Sequence, residues 1–257
     1  MKITTLIENT SSDPMLSAEH GLSLYLETEN QKILFDMGQT SNFACNAERL
    51  GIDLSQVDFA VLSHGHYDHG GGLATFLRRN SHAPVYVHKT AFGAYYNGTE
   101  KYIGLDPSLQ SNPRLVYTEG NVAITPRIFL RDCNDLGWIS QPYGLNRREE
   151  DRFEPDDFRH EQYLQIWEGE KQILISGCSH KGILNIAEYF RPQVLIGGFH
   201  LNKVEDPILL RQIGERLLRT NTLFFTGHCT GSKQFAIMKE VMGENLQSLS
   251  AGTVIER

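Results

Sequence analysis

Ser63-His64-Gly65-His66-Tyr67-Asp68-His69-Gly70-Gly71-Gly72 is the stretch that decides how this chain is read. It packs three imidazoles and a carboxylate into six residues, directly after the short apolar run Phe59–Leu62. Imidazole nitrogen and carboxylate oxygen are the donors that zinc and similar divalent ions take. In a loop leaving a strand, residues i and i+2 can turn towards a common point, so His64 and His66 can grip one ion. Asp68 and His69 begin the next turn and can reach a second. Gly65, Gly70, Gly71 and Gly72 permit positive φ and close backbone approach. The competing reading is a polar surface loop, or a histidine cluster capping the helix that follows. Three histidines and an aspartate at this spacing, after a buried strand, weigh against it.

Working outward, hydrophobic periodicity predicts strands at Ile3–Ile7 and Gly21–Glu27, the latter with Leu22, Leu24 and Leu26 on one face. Ile33–Phe35 completes a hairpin. Helices are expected at Phe43–Leu50, ended by Gly51, and at Leu73–Arg79, with a strand at Val85–His88. Val116–Phe129 reads as two short strands, and residues 134–160 as a long polar loop. A loop of that length is commonly functional, so it is read as a flap over the site. Regularity returns with the hairpin Tyr163–Trp167 and Gln172–Ser176. Helices follow at Gly182–Arg191, Pro207–Arg219 and Lys233–Met242, and strands at Val194–Ile196 and Leu223–Phe225.

The two halves resemble each other in order of elements. Lys32–Gly38 corresponds to Gln172–Cys178, and Val61–His66 to Leu195–His200. The expectation is one α/β domain over residues 1–257, built from two pseudo-repeated halves. Its site would lie at strand ends where the halves meet. Chance similarity is the alternative.

With 257 residues the chain can bury about three quarters of its unfolded surface, so folding needs neither disulfide nor structural metal. The net charge of −7 is spread without any Lys/Arg run, which argues against a nucleic-acid partner. An anionic small molecule drawn to a metal-bearing pocket is the expected ligand. Cys45, Cys133, Cys178 and Cys229 are too widely spaced for a disulfide framework. No apolar run suits a signal peptide or a membrane span, so a cytoplasmic location is expected.

The motif resembles the His-x-His-x-Asp-His signature of the metallo-β-lactamase-fold superfamily. The resemblance runs from about Ile3 to the C-terminus. Glu19–Ser23, Ile33–Gly38, Gly177–Ile183, Gly197–Leu201 and His228–Gly231 are similar to one subgroup of metal-dependent hydrolases. Some members of that subgroup are named dihydropterin–ribofuranosylaminobenzene 5′-phosphate synthase. The resemblance implies a four-layer αββα sandwich with a dinuclear site. His64, His66 and a third histidine would hold one ion, and Asp68, His69 and a late histidine the other. His228 fits the late histidine. The family's bridging aspartate follows a Gly-Asp step, and here that step is Gly177-Cys178. For the third histidine the candidates are His160, in a polar loop, and His180, two residues from Cys178.

The expected metal ligands are thus His64, His66, Asp68, His69, Cys178, His180 and His228. His200 is expected at the substrate rim, because the repeat sets it opposite His66. Against these, Cys178 could be a plain buried thiol, His180 a helix cap and His200 a solvent-facing residue. Cys178, His180, His228 and Cys229 could also form a separate structural zinc, although their spacings are short for one. Glu19 and His20 could orient ligands. Two divalent ions are expected, zinc first, with iron or manganese as alternatives. The default chemistry is hydrolysis of an ester, lactone, thioester or phosphodiester by metal-activated water, with Asp68 shuttling the proton. An iron redox protein, a pterin-related enzyme and a non-catalytic sensor are the rivals.

Overall fold

The computed structural model describes residues 1–138 and 144–256. Residues 139–143, within the stretch read as a flap, lie outside the described residues. The chain forms two compact units. One comprises Met1–Glu119, Gly144–His160 and Ser250–Arg257, the other Gly120–Tyr143 and Glu161–Leu249.

The first unit carries a seven-stranded sheet in the order Val254–Glu256, Lys2–Ile7, Ser23–Glu27, Lys32–Phe35, Phe59–Val61, Val85–His88, Leu115–Thr118. Pairing is antiparallel as far as Lys32–Phe35 and parallel beyond it. The parallel strands are short and almost wholly apolar, and the inner ones, Phe59–Val61 and Val85–His88, are buried along nearly their whole length. Helix Asn42–Arg49 buries Phe43, Ala44 and Ala47 in the core and packs on the antiparallel strand Lys2–Ile7. Its Asn46 amide donates to the carbonyls of Leu6 and Ser17, at 2.7 and 2.8 Å. These bonds satisfy a fully buried polar side chain and fix the helix on the sheet.

The second unit carries another seven-stranded sheet: Asn121–Thr125, Ile128–Arg131, Tyr163–Glu168, Lys171–Ile175, Val194–Ile196, Leu223–Thr226, Leu246–Ser248. It too is antiparallel up to its fourth strand and parallel from there on. Helices Ile183–Phe190, Pro207–Leu218 and Ser232–Met242 bury Ile186, Leu210, Leu217 and Met238 in its core. Asp206 caps the second of these by accepting from the Ile208 N–H at 2.8 Å, with Pro207 in the first turn.

The two sheets therefore share one strand order and sense, as the internal repeat predicts, except that the outermost strand is the C-terminal Val254–Glu256 in the first and Asn121–Thr125, just before its neighbour in the chain, in the second. The register differs from the sequence alignment by one residue. Phe35 pairs with Val61 and Ile175 with Ile196, so His200 corresponds to Gly65 and not to His66. Two further expectations are corrected. Residues 115–131 hold three strands, and the supposed loop 134–160 contains the hairpin Leu145–Glu149 and Arg152–Pro155. That hairpin joins Ala94–Asn97 and Lys101–Tyr102 in a four-stranded sheet. Its composition misleads because Arg147 and Arg148 are strand residues neutralised by neighbours, Glu149, Glu154 and Asp157 for Arg147 and Asp151 for Arg148.

Candidate metal centres

In the first unit the histidine-rich motif starts where the parallel strand Phe59–Val61 ends, the edge at which α/β sheets place their ligands. Asp36, at the end of the neighbouring strand, organises it. Asp36 is fully buried and left-handed, with φ 57°. Its carboxylate accepts from the Ser63 N–H at 2.7 Å, the Ser63 hydroxyl at 2.7 Å and the His69 ring at Nδ1, 2.6 Å. Because the Ser63 hydroxyl spends its one proton on Asp36, its contact of 2.8 Å with His64 Nδ1 requires the ring to donate. Both His64 and His69, when neutral, thus carry the proton on Nδ1 and leave the Nε2 lone pair for a metal.

The three imidazoles are packed together. Ring centroids lie 4.6 Å apart for His64–His66 and 4.2 Å for His64–His69. Burial pushes the His66 imidazole down to about 4, so at neutral pH it is an unprotonated donor. Asp68 Oδ2 lies 3.9 Å from His69 Nε2 and 3.2 Å from His20 Nε2, and His20 reaches solvent. Three buried imidazoles and a carboxylate, two of the rings with fixed tautomers, fit a divalent ion by the chemistry of the donor set.

His160 is buried beside the motif, with its ring 5.1 Å from that of His66. Its Nδ1 accepts from the Gly65 N–H at 2.9 Å, and its Nε2 donates to Asp156 Oδ2 at 3.0 Å. Both nitrogens thereby fix the loop, and a ligand atom of His160 lies within 4.8 Å of ones on His66 and Asp156. Tyr95 stacks on it at 4.0 Å. Burial alone would raise the Asp156 carboxyl, but His160 and His66 outweigh it and hold that group well below the usual carboxylate range. Glu19 proves to be a loop clamp. It accepts from the backbone of Gln39 and Thr40 and from the side chains of Thr40 and Asn42.

The second unit has its own cluster at the ends of its parallel strands. Donor atoms of Cys178, His200 and Cys229 all lie within 4.8 Å of one another. The His180 and His200 rings are 4.2 Å apart. His228 is buried directly after the strand Leu223–Thr226. Ser179, His200 and His228 are all left-handed, with φ of 58°, 50° and 47°. Such backbone costs of order 1 kcal/mol or more per residue and persists where surrounding structure imposes it, often at functional sites. Here the imposing structure is visible. Glu161 accepts from the backbone N–H of His180 and Lys181, at 2.7 and 3.0 Å, and from the Tyr163 hydroxyl. Lys181 donates to Asn134 and to the carbonyls of Asp132 and Glu161.

A family model described as the metallo-beta-lactamase superfamily matches residues 17–198. The chain belongs to this superfamily. Its fold is accordingly the α/β metallo-β-lactamase type expected from the motif. An uncharacterized protein of Methanocaldococcus jannaschii, MJ0448, is 31% identical, the match covering 93% of this chain and 94% of that protein. The 7,8-dihydropterin-6-methyl-4-(beta-D-ribofuranosyl)-aminobenzene-5'-phosphate synthase of the same organism is 29% identical over 100% of this chain and 96% of its own. Among solved structures, Tm1679, described as a metal-dependent hydrolase of the beta-lactamase superfamily, matches with a TM-score of 0.85 and 30% identity. That match covers 100% of this chain and 99% of the other.

In this member of the superfamily the sequence displays the candidate donors but not the groups that hold them in place. Asp36, Ser63, Asp156 and Glu161 escaped sequence reasoning. Asp36 alone carried a signal, a carboxylate ending a strand in the repeat. No helix among the described residues is long and apolar enough to cross a membrane.

Proposed function

We propose that this protein is a metal-dependent hydrolase acting on a small anionic molecule with an ester, lactone, thioester or phosphodiester bond. The observation that carries the reading is the Asp36–Ser63–His64 and Asp36–His69 network, which orients two imidazoles beside His66 and Asp68 with Nδ1 turned to the network. Cys178, His180 and His228 are proposed as further donors on the sequence pattern. Two ions, zinc first, are proposed. When bound, such ions supply a lowered water pKa and polarisation of a carbonyl or phosphoryl oxygen. The chain's own part is proton handling. Asp68 holds the proton at Oδ2, and His20, 3.2 Å away and half-exposed, passes it to solvent.

The purified protein should contain close to two divalent ions per chain by elemental analysis. His66→Ala and Asp68→Ala should each lower turnover on a panel of generic esters, lactones, thioesters and phosphodiesters by roughly a hundredfold or more, with an unchanged circular dichroism spectrum. A metal-loaded wild-type protein inert on the whole panel would overturn the hydrolase reading. The full-length similarity to the pterin-related synthase supports a second reading. Under it, turnover would require a dihydropterin and a ribofuranosylaminobenzene phosphate supplied together.

A further inference from the structure

We infer that the second unit contains a thiolate-rich site of its own, in which Cys178, Cys229 and His200 hold one thiophilic divalent ion of the zinc class. All three donor atoms fall within 4.8 Å of one another, and both sulfurs are buried. Tetrahedral zinc, with bonds of about 2.3 Å to sulfur and about 2.0 Å to nitrogen, needs donors a little under 4 Å apart.

The backbone is shaped to bring these groups together. A Cβ on Gly198 would stand 2.4 Å from Cys229 Sγ, so only glycine lets the sulfur approach here. The left-handed His200 turns its backbone N–H onto that same sulfur, at 3.2 Å. A backbone donor of this kind orients and stabilises a ligating thiolate. Ser179 ties the two loops by donating to the Gly198 carbonyl at 2.7 Å. On binding, each thiol gives its proton to solvent as its sulfur–metal bond forms, so an ion of charge +2 is bound with release of two protons.

Three protein donors leave the fourth tetrahedral position open, the pattern of a catalytic zinc and not of a structural one. His200 also lines a cavity of about 210 Å³ with His180, Asn185, Phe199 and Leu201, which gives a water or small ligand room beside its ring. The assignment replaces the expectation that His200 sits at a substrate rim. The register places it opposite Gly65, so its alignment with His66 no longer supports that role. Cys178 is shared with the donors proposed above, so this ion counts as one of the two proposed there, with Cys229 and His200 as the donors that this inference adds.

The test uses the full-length protein, stripped of metal and titrated with cobalt(II), whose charge-transfer absorbance in the near ultraviolet reports bound thiolate. Cys229→Ser and Cys178→Ser should each remove about half of that absorbance and the double variant all of it, while Cys45→Ser, at an exposed position, changes nothing. His200→Ala should weaken cobalt binding at the thiolate band. A Cys229→Ser protein with the wild-type band overturns the inference, as does a wild-type protein with no thiolate band. Should the serine variants fail to fold, the wild type decides. Zinc should slow iodoacetamide labelling of Cys229 at least about tenfold by peptide mass spectrometry, and equal labelling with and without zinc overturns the site. Turnover without a thiolate band defeats this inference, and Cys178 as a donor with it, but leaves the hydrolase reading standing; a thiolate band without turnover defeats only the hydrolase reading.

Discussion

Asp36 has more consequence than any ligand it serves. Asparagine is nearly isosteric and tolerates the left-handed backbone that Asp36 adopts. Its amide N–H₂, however, would face the Nδ1–H of His69, two donors at 2.6 Å. The ring then relieves the clash by moving its proton to Nε2, the nitrogen a metal needs. Asp36→Asn should therefore lower metal affinity by roughly 10–100-fold, read by competition with a chromophoric chelator, while nitrogen NMR shows His69 in the opposite tautomer. An unchanged affinity would remove Asp36 from the argument. The candidate ligands were legible in the sequence because His64, His66, Asp68 and His69 are neighbours, and local spacing is what a sequence displays. The groups that set their protons were not. His69 meets Asp36 across 33 residues, and Gly65 meets His160 across 95. Only the folded sheet brings such pairs together.

At the scale of elements, the loop 176–182 shows how a strained turn is held. Ser179 is left-handed, yet the turn stays in place because Glu161 accepts three hydrogen bonds beneath it. Glu161→Ala would leave two buried N–H groups and a buried hydroxyl without their acceptor and Lys181 near a smaller count of negative charge. The expected cost is about 2–5 kcal/mol in urea unfolding, with Glu161→Gln recovering part of it through its remaining carbonyl. A loss below about 0.5 kcal/mol would mean that the turn is held by something else. Elements with a clear period were readable in advance. Leu73–Arg79, Val85–His88 and Val194–Ile196 fall where the pattern puts them. Lys101–Tyr102 and Arg152–Pro155 did not show, since these are exposed, polar strands with no buried face to impose alternation. Val254–Glu256 is an edge strand of three residues, which pairing with Lys2–Ile7 defines and composition does not.

For the molecule as a whole, the sequence repeat was real but one residue out of register, a slip that matters because strand period is two. The same strand order and sense in both units give each a full seven-stranded sheet and its own apolar core, around Leu34, Phe43 and Phe76 in one and Leu174, Leu195 and Phe224 in the other. The candidate donors lie past the strand ends, outside these cores. Metal should accordingly add stability by binding to the folded state and should not be the source of the fold. With free ion at about 1,000 times Kd, one site contributes about 4 kcal/mol. For a chain of this size each kcal/mol moves Tm by about 2–4 °C. Chelation should therefore lower Tm on the order of 10 °C, while the far-ultraviolet circular dichroism at room temperature stays as it was and melting remains cooperative. Coincident melting curves with and without chelator would show that no ion binds the folded chain with the expected affinity. A chelated protein already unfolded at room temperature would show the opposite, that these two cores are insufficient and the ions are part of what folds them.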